Sequence, residues 1–139
     1  MEKPIQHTLI MVCNTPLVLC IDLDIGLRNL DIALGLDDRA VMDFTDVTEL
    51  RCPLLTAAAE HPTIRGLFLL TAPTSLADPD QAAFCRLVAD GKEYFDYVLM
   101  DTPAGLGPGF QLPYPPARCP EGAGRRYPWP GRWRCAGCG

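Results

Sequence analysis

Lysine is scarce in this chain of 139 residues, where only Lys3 and Lys92 occur. That scarcity excludes a phosphate loop of the form G-x-x-x-x-G-K-[ST], in which successive backbone amides cradle phosphate oxygens and a lysine neutralises them. Lys3 has no glycine near it, and Lys92 follows Gly91 but precedes Glu93, with Arg86 where the earlier glycine would stand. Long apolar runs are also missing. Residues 8–13 and 17–21 are parted by Asn14, Thr15 and Pro16, well short of the roughly 18 consecutive apolar residues that cross a bilayer. Neither a secretory leader nor a membrane anchor is expected: Lys3 is balanced by Glu2, and Leu19 is too bulky to precede a lipidated Cys20. Histidine is limited to His7 and His61, both far in sequence from the Cys135/Cys138 pair. With Cys119 as the only nearby third ligand, that pair reads as exposed thiols rather than a zinc site.

What is present is the composition of an ordinary globular domain, 48% hydrophobic and 21% charged. The net charge of −5 conceals a split. Residues 111–139 hold five arginines and one acid, Glu121, so residues 1–110 carry −9. An acidic body is a poor nucleic-acid surface, and no nucleic-acid partner is expected. Cys13, Cys20, Cys52 and Cys85 stand singly among apolar neighbours, where a free thiol behaves as a small hydrophobe, so a reducing, cytoplasmic setting is expected.

Three short apolar runs, at residues 17–21, 66–70 and 97–100, each end in a polar or proline-containing loop. They read as strands buried on both faces, as in parallel sheets. Between the second and third, residues 78–94 place Ala82, Ala83, Cys85, Leu87, Val88 and Tyr94 on one helical face. Residues 29–35, 41–50 and 53–60 read as further short helices, with Pro53 suited to a first turn. The expected fold is therefore α/β, a partial and mostly parallel sheet with flanking helices. Ligands bind beyond the carboxyl ends of strands in such sheets, and Asp22, Asp24 and Asp101 lie there. A single aspartate at that place more often just opens a turn; acids at two strand ends favour function.

The strings that follow are more specific. DLDIGLRNLD at residues 22–31, LGL at 34–36 and VMDFTDV at 41–47 resemble the MinD-type members of the ParA family of P-loop ATPases, bacterial enzymes of division-site placement. DYVLMDTPAG at 96–105 is similar to that family's second switch, and Ala72, Pro73 and Thr74 occupy the loop after its middle strand. The resemblance covers residues 17–110. It implies that Asp22 organises a magnesium site and that Asp24 positions the attacking water. By the same resemblance Asp101 acts on magnesium through water, Gly105 presents its backbone amide to a terminal phosphate, and Arg28 and Asn29 belong to the first switch. Arg28 and Asn29 fit a solvated helix start equally well. The implied cofactor is Mg-ATP and the implied partner a MinD/ParA-type paralogue or regulator.

The same family carries a glycine-rich loop with two lysines after its first strand. Here residues 1–16 stand in that place, and only Asn14, Thr15 and Pro16 separate Cys13 from Leu17, whereas a parallel crossover needs about a dozen residues. An extended segment at 9–13 would pair antiparallel, run on into the next strand, or lie across the surface. The sheet would then be partly uncovered on one face. Charge-assisted phosphate contacts contribute about 1.5 to 3 kcal/mol each, so the sequence predicts very weak ATP binding and little hydrolysis. Residues 111–139, rich in Pro, Gly, Arg and Cys and with Leu112 as the sole aliphatic beyond alanine, are expected to be a disordered tail. Its abrupt onset suggests a shifted reading frame, and a truncated or degenerate ATPase, an interaction module and a gene fragment are the readings that remain.

Overall fold

The computed structural model describes residues 15–75, 78–104, 109, 112 and 113. The segment expected to replace the first strand (1–16) and the expected tail (111–139) therefore lie almost wholly outside the described residues, as do Gly105 and the Cys119, Cys135 and Cys138 thiols.

Eight elements follow in order: β1 (Val18–Asp22), α1 (Leu30–Leu34), α2 (Phe44–Thr48), α3 (Leu54–Ala57), β2 (Ala59–Glu60), β3 (Leu67–Leu70), α4 (Gln81–Tyr94) and β4 (Tyr97–Asp101). The sheet order is β2-β3-β1-β4, with β1 parallel to both β3 and β4 and only β2 antiparallel. The partial, mostly parallel α/β architecture is as expected. Parallel pairing forces each return through a crossover, and α4 supplies the one between β3 and β4.

Alternation along the strands divides the apolar side chains between two faces. One face carries Leu19, Ile21, Leu70, Val98 and Met100 against Phe44, Val47, Leu54, Phe84, Leu87 and Val88 of α2, α3 and α4. The Phe44 and Phe84 rings meet edge to face at 5.6 Å between centroids. The other face carries Cys20 and Leu69 against Leu30, Leu34, Leu36 and Ala40. Helix α4 lies close on the first face because Gly91 is buried there: a Cβ would already stand 3.4 Å from Leu19 Cδ2 and from Val98 Cγ2.

Four expectations are corrected. The helix expected at 53–60 stops at Ala57; Ala58 is extended, and Glu60 pairs antiparallel with Phe68 as strand β2. The strand expected from Gly66 begins at Leu67, because Gly66 has φ +81. The buried face of α4 is centred on Phe84, which the helical pattern had left out, while Tyr94 is exposed. Most consequential, β4 is not buried on both faces. Among the described strands it is the outer one, and Tyr97 and Leu99 are 59% and 54% exposed. Burial on the second face depends on what neighbours a strand, which its own residues do not encode.

Candidate magnesium-side site at the strand ends

The loop after β1 is built around the Asp22 side chain. One carboxylate oxygen accepts the Asp24 amide at 2.8 Å and the other accepts the Leu30 amide at 3.2 Å, so one buried group staples both ends of residues 24–30. The turn between them is closed by the Leu27 and Arg28 amides donating to the Asp24 carbonyl, and by Gly26, φ +92, donating to Pro73. Burial pushes the Asp22 carboxyl up. The two amide bonds oppose that rise, and the charges of Asp101 and Asp24 add to it.

Asp101 stands in register with Asp22 across the β1–β4 ladder. Residues in register on adjacent parallel strands share a face and sit about 4.8 Å apart, so the two carboxylates are neighbours. The ladder runs one step further, with the Leu23 amide donating to the Asp101 carbonyl at 2.9 Å. Asp22 is fully buried and Asp101 is exposed, so the pair opens to solvent on the Asp101 side. Asp24 lies beside them, partly buried, with Asn29 Nδ2 reaching its carboxylate at 3.4 Å.

Four of the sequence-derived residues, Asp22, Asp24, Asn29 and Asp101, therefore gather at the carboxyl end of the sheet. Arg28 does not turn its charge toward them. Its Nε donates to Asp31 at 2.6 Å, and its Nη2 donates to the carbonyl of Ala40. Asp31 is itself buried, so this ion pair ties the loop to α1 and to the segment before α2. Gly105 lies outside the described residues.

Hard carboxylate oxygens suit magnesium, which keeps several waters and is usually held by one or two carboxylates plus substrate phosphates. Asp22 and Asp101 fit that description. Among the described residues no three His, Cys, Asp or Glu side chains converge as a self-sufficient metal cage, so a cation here would complete its shell with water or phosphate. Phosphate donors are another matter: the described lysine, Lys92, belongs to α4, and Arg28 is held by Asp31 and Ala40.

His61, far in sequence from the Cys135/Cys138 pair, is half-buried. Its Nδ1 accepts the Thr63 and Ile64 amides and its Nε2 meets the Leu34 carbonyl at 3.0 Å, so the ring is a strut between α1 and the turn before β3. It borders a shallow cleft with Arg39, Glu60, Thr63 and Arg65. No local pattern in the sequence announces it.

The fold and the paired aspartates point to a class: part of an α/β sheet of the P-loop type, with two acids in register at its strand ends. No family model matches the chain. The chain is 40% identical over 98 residues to the septum site-determining protein MinD of Helicobacter pylori, a match that takes in 68% of this chain and 36% of that protein. Among solved structures it superposes on the MinC:MinD cell division protein complex of Aquifex aeolicus with a TM-score of 0.60 and 39% identity, covering 70% of this chain and 39% of that one. It also superposes on MinD of Pyrococcus horikoshii complexed with Mg-ADP, with a TM-score of 0.58 and 24% identity, covering 70% and 40%. The chain thus carries a partial MinD-like segment, and it spans a little over a third of the length of the relatives it matches. Among the described residues no helix is long and apolar enough to cross a membrane.

Proposed function

We propose that this chain is a MinD-like division-site protein that keeps the magnesium side of the family's ATP site and, within these 139 residues, lacks the phosphate side. The carrying observation is the register of Asp22 with Asp101, with Asp24 folded back on Asp22. Magnesium, if bound, would supply the positive charge that offsets three acids; Asp22 and Asp101 would hold it, and Asp24 would orient a water. Asn29, near Asp24, fixes that carboxylate's direction. Arg28 acts on the site through the loop rather than by touching nucleotide. The backbone amide of Gly105 is assigned to the terminal phosphate by resemblance alone.

Calorimetry tests this reading. Magnesium alone is expected to bind at millimolar concentration and to lose binding in Asp101→Asn, with Mg-ATP adding little affinity. Micromolar Mg-ATP binding would overturn it.

A second reading is favoured by the apolar side chains exposed around the same loop, Leu27, Ile32 and Val41. In it the chain is a non-enzymatic module that docks on an intact MinD/ParA-type ATPase or its regulator, as the solved MinC:MinD complex exemplifies for a relative. Co-purification with a full-length MinD that is lost in Ile32→Asp would support it, and co-purification unaffected by that change would count against it.

A further inference from the structure

The two edges of the sheet are unlike. Strand β2 is two residues long, which blunts that edge, whereas β4 is a straight five-residue edge with no proline, lysine or glycine to guard it. The Tyr97 amide donates to Leu17 and the Asp101 carbonyl accepts from Leu23, so residues 97, 99 and 101 direct their backbone groups toward β1. By alternation Val98 and Met100 direct theirs outward, away from the sheet. Among the described residues nothing pairs with them.

We propose that this edge pairs antiparallel with β4 of a second copy of the chain, about a two-fold axis through Leu99. The strand is complementary to itself in that register. Val98 and Met100 of one copy face Met100 and Val98 of the other as hydrogen-bonded pairs, which gives four backbone bonds. Leu99 meets Leu99 in the non-hydrogen-bonded pair at the axis, where Cα atoms approach to about 4.5 Å. Tyr97 falls opposite Asp101, so its hydroxyl reaches the carboxylate level of the other copy and no acid faces an acid. The interface is isologous, as a two-fold requires. It covers the exposed stripe of Tyr97 and Leu99, and it brings Tyr97 of the second copy beside the Asp22–Asp101 pair.

A one-residue slip would set Leu99 against Met100 on opposite faces and lose the Tyr97–Asp101 pairing, so the register is specified.

The experiment is sedimentation equilibrium of the full chain under reducing conditions, from micromolar to millimolar loading, with hydrogen exchange followed at the Val98 and Met100 amides. A monomer–dimer equilibrium is expected, with exchange at those two amides slowing as dimer forms. Leu99→Lys puts like charges together at the axis and should weaken association at least about tenfold. Because Leu99 is more than half exposed, the circular dichroism spectrum of the variant should match that of the wild-type chain. Tyr97→Phe should weaken association several-fold with the fold intact. Leu99→Cys, oxidised, should yield a symmetric disulfide between the two copies at that position by peptide mapping, since about 4.5 Å lies within the Cα range that disulfides span. A wild-type chain that stays monomeric up to millimolar loading overturns the proposal. So does a dimer that Leu99→Lys leaves intact, or protection of Val98 and Met100 in the monomer, which would mean that another segment of the same chain occupies the edge.

Discussion

Asp22 and Asp101 stand side by side in register at the carboxyl ends of β1 and β4, one fully buried with both oxygens on backbone amides, the other open to solvent. The buried member organises the loop and the exposed one gives the pair its access. Their closeness also makes the loop sensitive to charge.

Burial raises the Asp22 pKa, so between the ordinary aspartate value and the folded value the native state holds the extra proton. The contribution of Asp22 to stability is therefore full at lower pH and is lost as pH rises through the folded pKa. Urea midpoints of wild type and Asp22→Asn, compared from pH 3 to 7, should diverge progressively across that window, because the variant lacks this titration. A difference that is flat with pH would refute the assignment.

Arg28 holds a nearly buried Asp31 and the Ala40 carbonyl at once. Arg28→Ala leaves Asp31 without its cation and should cost about 1 to 3 kcal/mol in chemical denaturation, less than for a fully buried pair because Arg28 is partly solvated. Arg28→Lys should recover only a part, since a single ammonium cannot span both acceptors.

Helices α1 and α2 end in the same way but with different residues. At α1, Gly35 takes φ +66 while the Gly35 and Leu36 amides return to Ile32 and Asp31. At α2, Leu50 takes φ +60 and the Leu50 and Arg51 amides return to Val47 and Asp46. A leucine thus fills the glycine place of a Schellman cap while 90% exposed. Leu50→Gly should stabilise the fold by about 0.5 to 1 kcal/mol, read as a higher thermal midpoint; a lower midpoint would contradict the strain.

Gly66 combines a left-handed backbone with a crowded approach: an added Cβ would lie 2.6 Å from the Pro16 carbonyl oxygen. Gly66→Ala should cost about 1 to 3 kcal/mol by moving the entry to β1. The loss should appear as a lower urea midpoint with an unchanged slope.

The chain order of apolar runs and polar strand ends was enough to specify a partial parallel α/β sheet, because a strand's residues and its closing turn are neighbours in sequence. The position of Asp22, Asp24 and Asp101 at the strand ends was legible for the same reason. Other features were decided only by the tertiary structure. Strand β2 is two residues whose strand character comes from pairing with Phe68 and Leu69, not from their own propensity. The sequence left Arg28 open between the first switch and a solvated helix start, because one of its partners, the Ala40 carbonyl, lies twelve residues on, a distance that no local pattern spans. The exposure of Tyr97 and Leu99 follows from β4 having β1 on one side and nothing described on the other. The acids carry their chemistry in their own side chains, but burial, edge position and ion pairing belong to relations between distant segments.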